Sequence, residues 1–515
     1  MRSQVEACWL PEALEQKLRP LIRGCTPIIK RYERDGDYMD VVFRRLSPEA
    51  LAYAASFLRD QRNRVLREKS VYEIARALNL AAEKWLDPMY PPRRRAIEHI
   101  SLITGFSTEM VAHSIDLEQR SSRYEHLVQA LVNELGSPDY LDGFQPNANL
   151  CGMSQAIGPD LVGAIFSSNI PALPHLEIMR ALLVKSSCLG RVSAGEPIFL
   201  RLYAETLHEI DPDLASCIVV TYWNHEELDC EKAFLESIDY LVAYGSEAQT
   251  ERLASVKPPE LRASWHGHKV GFTYILREAL EEERVGELAQ RVAYDFSIFD
   301  GYACLCPQVC FVETGGKLSP QAFAEECARW MSDWAVALPP RRLSVSEASR
   351  KYQLRELYFA RESMNDPVSV IAAPDDFSFT VIIEEANRLD SSPGDRFLKI
   401  VPVNGVADAE RLLRPLRPYL QCAALAGDAY RISSLSHTLA SSGVTRIVPP
   451  GLMGTPSMMW HHDGMACLGK MIKWCDYELL PPEKALKVDA QQYVKTIDFA
   501  GFLKEKERKT YALGQ

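Results

Sequence analysis

No stretch of this 515-residue chain is apolar and long enough to cross a bilayer. The opening Met1-Arg2-Ser3-Gln4-Val5-Glu6-Ala7-Cys8 lacks the apolar core of a signal peptide, so a cytoplasmic location and no membrane span are expected. Positive charge is not in excess. A net charge of −11 argues against a nucleic-acid binder, although a local pocket could still be basic. There is no GxGxxG, so the standard dinucleotide fingerprint is missing. There is no Cys-x2-Cys knuckle, which weakens a zinc reading. The 13 cysteines are odd in number and scattered, which fits reduced thiols better than a disulfide framework.

The length calls for two or three domains. Hydrophobic and charged contents of 47% and 25% are ordinary for a soluble globular chain. Ser47-Pro48-Glu49 and Ser70-Val71-Tyr72-Glu73 read as capped helix starts, and Ile74, Ala77, Leu78, Ala81 and Trp85 recur at helical spacing. Pro91-Pro92-Arg93-Arg94-Arg95 reads as a basic, solvated turn. Residues 1–150 are therefore expected to be a helical region packed on a cofactor domain. From Gly158 short apolar runs alternate with helical ones. The strands around 217–223 and 240–244 predict an α/β fold with a parallel, doubly wound sheet. Tyr244-Gly245-Ser246-Glu247 leaves one of those strands and opens a helix, a turn that offers free N–H groups to a pyrophosphate. Such turns are also common without a ligand.

Residues 294–310, Tyr-Asp-Phe-Ser-Ile-Phe-Asp-Gly-Tyr-Ala-Cys-Leu-Cys-Pro-Gln-Val-Cys, carry the candidate chemistry. A helix from Tyr274 to Ala289 is expected to lead into them. Gly301 and Pro307 bracket Cys304 and suggest a bent loop entering a buried strand. A thiol there can be reached by substrate, and neighbouring dipoles can lower its pKa. It could equally be a small core hydrophobe.

Phe299-Asp300-Gly301-Tyr302-Ala303-Cys304-Leu305-Cys306-Pro307-Gln308 resembles the active-site segment of the LuxC-family acyl-CoA reductases, the fatty-acyl reductase subunits of bacterial bioluminescence within the aldehyde dehydrogenase superfamily. Gly301 and Cys306 depart from that family's glutamine and serine. The resemblance runs from about residue 40 to 480. It implies an aldehyde dehydrogenase-like α/β fold with a helical N-terminal region (1–150), a Rossmann-like NAD(P)-binding domain (151–270), a catalytic domain holding Cys304 (271–470), and a C-terminal arm (471–515). Ser168-Asn169-Ile170-Pro171 resembles the superfamily's Asn-x-Pro segment, which makes Asn169 the oxyanion donor. Gly245 and Ser246 would meet the cofactor phosphates. Val184-Lys185-Ser186-Ser187 resembles the strand-end lysine segment that contacts the adenosine ribose, and Trp223 completes the cofactor set.

Trp265-His266-Gly267-His268 stands near where ordinary aldehyde dehydrogenases carry the glutamate that activates water. With no convincing glutamate there, an acyl-enzyme would survive long enough for reduction. His268 could serve as a weaker acid or base, or be structural. Gly451-Leu452-Met453 and Trp460-His461-His462-Asp463-Gly464 resemble closing signatures of the reductase family, with His462 and Asp463 as auxiliary candidates. The cysteines and histidines together could suggest a metal, but Cys304-x-Cys306-x3-Cys310 is not a usual zinc spacing, and no metal is expected.

The resemblance implies reduction of an acyl-CoA or acyl-carrier thioester to the aldehyde by NADPH or NADH, through an acyl-Cys304 intermediate. An acyl-protein synthetase partner and a homo-oligomer fit the same picture. The rivals are an acyltransferase or acyl-carrier subunit that loads Cys304 without reduction, and a non-catalytic interaction subunit. The polar tail from Asp489 to Gln515 would be an oligomerisation arm or a loose end.

Overall fold

A computed structural model of the chain describes residues 2–22, 25–147, 150, 152–374, 377–390 and 392–478. The tail from Asp489 lies outside the described residues.

Two sheets organise the molecule. The first has five strands, all parallel, in the order Arg262–His266, Tyr240–Tyr244, Leu161–Ile165, Ser187–Arg191, Ile218–Thr221. Leu161–Ile165, at its centre, is buried along its whole length, the continuous apolar run a doubly covered strand requires. The second sheet has seven strands. Six are parallel: Thr380–Glu384, Phe397–Val403, Pro307–Glu313, Val270–Ile275, Leu420–Ala426 and Arg446–Val448. The edge strand Val368–Ala372 is antiparallel.

The helix expected over 274–289 is instead the end of strand Val270–Ile275 followed by helix Val285–Ser297. Six buried residues in a row, Val-Gly-Phe-Thr-Tyr-Ile, suit a strand covered on both faces better than an amphipathic helix.

The N-terminal third is mostly helical and shares one apolar core with a face of the five-stranded sheet. Ser47 caps helix Pro48–Gln61, and Ser70 with Glu73 forms a capping box on Val71–Leu86. The first 45 residues also form a small sheet, Arg2–Glu6, Asp37–Phe43 and Ile28–Arg34. Pro91-Pro92-Arg93 is not a solvated turn. The prolines open helix Pro91–Thr104, and Arg93 is buried, donating to the Trp85 carbonyl and pairing with Asp116. At the other end of the chain, Lys473–Glu478 pairs antiparallel with Gly152–Ile157. Among the described residues no helix is long and apolar enough to cross a membrane, and every cysteine is unpaired.

Candidate active site

Cys304 sits between helix Val285–Ser297 and strand Pro307–Glu313, just past a tight left-handed turn. Phe299, Asp300 and Gly301 have φ of 52°, 50° and 77°. For the two residues with a Cβ this costs ~1–2 kcal/mol each, so the surroundings must hold them. Asp300 supplies that hold. Its buried carboxylate accepts from the Arg396 guanidinium and, at 2.7 Å, from the Arg341 backbone N–H. Tyr302 is fixed next to it: its hydroxyl donates to Asp395 at 3.0 Å and accepts from Arg341 at 3.1 Å. Gly301, where the family pattern has glutamine, takes a backbone angle that favours glycine. Cys306, where it has serine, still makes a local bond, its thiol donating to the Ile298 carbonyl at 3.4 Å.

The Cys304 thiol is half-buried and lines a cavity of about 410 Å³. Burial pushes its pKa up to about 12, and the Asp463 charge adds to this. The backbone N–H groups of Cys304 and Leu305 act the other way, as donors that favour the thiolate. Most of the wall is apolar: Leu117, Phe166, Ile170, Leu173, Leu176, Leu305 and Met458.

One side of the cavity is a stack of rings. Tyr244 lies on His266 at 4.6 Å, His266 on His462 at 4.1 Å, and His462 beside Trp460 at 4.8 Å. His266 Nδ1 is 2.7 Å from Asp463 Oδ2, and Gln421 donates to the other carboxylate oxygen at 2.5 Å. Burial, then the neighbouring His266, bring the His462 pKa down to about 3, so this ring is neutral at physiological pH. Asp463 is held well below the usual carboxylate range; burial opposes this, but the His266 hydrogen bond and both imidazoles outweigh it. Ligand atoms of His266, His462 and Asp463 fall within 4.8 Å of one another, so the trio could hold a cation as well as relay a proton. Next to the stack are Glu177 and Arg180, paired at 2.5 Å, with the Tyr244 hydroxyl donating to Glu177 at 2.7 Å.

A second cleft of about 320 Å³ includes Arg34, Ser168, Asn169, Gly195, Tyr302, Arg341 and Glu347. Here Asn169 Nδ2 donates to the Tyr302 carbonyl at 3.2 Å, two residues before the thiol. Arg34 bonds the Leu102 and Arg342 carbonyls and forms no ion pair among the described residues.

The remaining candidates divide by which end of the parallel sheet they occupy. Gly245 and Ser246 lie at the carboxyl end of Tyr240–Tyr244, where Ser246 caps helix Glu247–Val256. Lys185 and Ser187 lie at the opposite, amino end of Ser187–Arg191. Lys185 Nζ pairs with Asp142 at 2.6 Å, and the Ser187 hydroxyl donates to the Leu58 carbonyl at 2.8 Å. The residue at the carboxyl end is Arg191. Its Nε donates to the Trp223 carbonyl at 3.0 Å, and its guanidinium lies over the Trp223 ring at 5.4 Å. Trp223 itself is only 2% exposed and packs on Phe234 in the core, so it offers no open face. His268 is exposed near Tyr419, outside the cavity; the inward histidine is His266, the last residue of its strand. Sequence reading passed over Tyr244 as a site residue, and with it Trp460, Glu177, Arg180, Arg191 and Glu118. Tyr244 and Trp460 did carry a signal, since they stand in the segments Tyr244–Glu247 and Trp460–Gly464 that the sequence singled out.

A profile of the acyl-CoA reductase (LuxC) family matches residues 66–474. The chain belongs to that family. LuxC reductases are oxidoreductases, and curated relatives agree in length as well as sequence. The long-chain acyl-protein thioester reductase of Aliivibrio fischeri is 22% identical over 448 residues, 84% of this chain and 88% of that one. The Vibrio harveyi protein of the same name is 22% identical over 422 residues, 80% and 84%. Solved structures place this LuxC protein in the aldehyde dehydrogenase fold. A Pseudomonas syringae aldehyde dehydrogenase complexed with NAD+ and octanal superposes with a TM-score of 0.64 at 11% identity, covering 90% of this chain and 95% of that one. An NADP-dependent glyceraldehyde-3-phosphate dehydrogenase from Bacillus halodurans complexed with NADP gives 0.65 at 12%, covering 89% and 97%.

Proposed function

We propose that this LuxC protein reduces an acyl thioester, carried on CoA or on an acyl protein, to the aldehyde through an acyl-Cys304 intermediate, with NADPH or NADH as reductant. The observation that carries the reading is the position of the Cys304 thiol. It stands at the wall of a largely apolar cavity, with two backbone N–H groups on its sulfur and Asn169 on the adjoining backbone.

Cys304 sulfur attacks the thioester carbon. Its proton goes to the departing carrier thiolate, so the products are acyl-Cys304 and a free thiol. Asn169, which holds the Tyr302 carbonyl two residues before the thiol, turns its amide N–H to the oxyanion, where a donor can contribute several kcal/mol. A nicotinamide supplies the hydride when bound. One hydride and one proton release the aldehyde and regenerate the thiol.

The residues present fit such a cofactor. Gly245 and Ser246 open a helix at the carboxyl edge of the parallel sheet, where doubly wound folds bind dinucleotides. Gly245 is close-packed there: a Cβ would meet the Gln249 side chain at 2.9 Å. Arg191 replaces Lys185 as the basic group at that edge, and the Arg34–Arg341 cleft receives the cofactor's charged end. The acyl chain then occupies the apolar cavity, and reductant and chain reach the thioester carbon from different sides.

The test is nicotinamide absorbance with purified protein, NADPH and a panel of acyl-CoAs, beside Cys304→Ala. Oxidation that needs both thioester and Cys304 supports the reading. An acyl mass on Cys304 without oxidation would replace it with acyl transfer.

A further inference from the structure

Two carboxyls line the Cys304 cavity, Glu118 and Glu177; the reaction above uses neither, and Glu177 is paired with Arg180. Glu118 belongs to helix Thr108–Ser121 and is 8% exposed. Its backbone carbonyl accepts from Ser121 and Ser122. Its carboxyl, however, has no hydrogen-bond or ion-pair partner among the described residues, and it lines the cavity. The nearby Arg180 guanidinium is committed to Glu177. Burial raises Glu118 to about 7, opposed only by the Arg180 charge. Near neutral pH much of it is therefore an uncharged acid, able both to donate and to accept. The same cavity wall carries Leu117, Leu173 and Leu176, together with Arg120, Ser121 and His126.

A plain alkyl chain packed against this wall would strip water from the carboxyl and leave it unpaired. A chain bearing a donor would pair with it. Sites with a buried polar group discriminate strongly against ligands that cannot satisfy it. We propose that Glu118 makes this cavity select acyl groups that carry a hydroxyl over plain alkanoyl groups. The proposal rests on the reading of the cavity as the acyl site.

The experiment is a competition for Cys304. Purified protein receives equimolar dodecanoyl-CoA and either 3-hydroxy- or ω-hydroxydodecanoyl-CoA, without cofactor, and intact mass resolves the two adducts. At least one hydroxyacyl isomer is expected to load about tenfold faster in the wild type. Glu118→Gln keeps part of that preference, and Glu118→Leu abolishes it while loading the plain chain several-fold faster than the wild type. Equal loading of all chains by the wild type overturns the proposal, as does an undiminished preference in Glu118→Leu. Absence of any adduct, with Cys304→Ala as the blank, overturns the acyl-Cys304 reading and this inference with it. Adducts without preference overturn this inference alone.

Discussion

The two hollows beside the Cys304 loop differ in almost every respect. One holds the thiol among leucines, with its charged groups arranged in pairs apart from Glu118. The other holds Arg34 and Arg341 with Asn169, Tyr302 and Glu347, and its wall is mostly polar apart from Ile103 and Phe106. Burial discourages charge in the first, as the raised Cys304 and lowered His462 values record. In the second, the half-buried Arg34 has no ion-pair partner among the described residues. A thioester reductase must hold a greasy chain and a phosphorylated reductant at one carbon. On the proposed reading, the two sides of one loop would let each be bound by the physics that suits it.

The largest effect should come from removing the group at the boundary. Cys304→Ala is expected to lower acyl-CoA-dependent NADPH oxidation by at least about 10³-fold, while equilibrium NADPH binding, followed by fluorescence, persists. Asn169→Ala should lower kcat by about 10²–10³-fold with little change in either KM. A change confined to KM would assign Asn169 to the cleft's architecture instead. Arg34→Ala and Arg341→Ala should each raise the KM for NADPH by about tenfold and leave the KM for acyl-CoA in place. The reverse outcome would exchange the roles of the two hollows.

The smallest effect concerns the apolar side. Burial pushes Glu177 up, but Arg180, His266 and the Tyr244 hydroxyl bring it down to about 2. A carboxyl depressed in the folded state contributes stability above its unfolded value, about 4.3, and loses it as pH falls through the folded one. Calorimetry should show Tm falling between pH 5 and pH 2. Glu177→Gln should flatten that slope and lower Tm at pH 7 by about 2–4 °C.

The parts of the site that the sequence displayed are those that are local in the chain. Cys304 with its bracketing Gly301 and Pro307, the Gly245–Ser246 turn and the Asn169 segment each occupy a few consecutive residues. The α/β class followed from alternating strands and helices, and its aldehyde dehydrogenase-like form from the resemblance carried by the segment around Cys304. What was illegible depended on direction or distance. Val184-Lys185-Ser186-Ser187 adjoins a buried strand, but nothing in those letters tells the amino from the carboxyl end, and the structure puts Arg191 at the carboxyl end. His268 and His266 differ only in that one closes a strand and the other follows it. Glu118 comes from a helix about 186 residues before the cysteine, and its lack of a partner exists only once the cavity closes.

Strand Lys473–Glu478, which pairs with Gly152–Ile157, also sets a clock. Ser154 and Asp476 bond across 322 residues of sequence. At roughly 5–20 residues per second, the ribosome needs about 16–64 s between them. Through that interval the early strand has an open edge and the cavity lacks the wall from Gly454 to His462. A nascent chain therefore carries Cys304 long before it carries the pocket that would select what the thiol acquires. The segment from Gly454 to His462 is what closes the wall beside the cysteine.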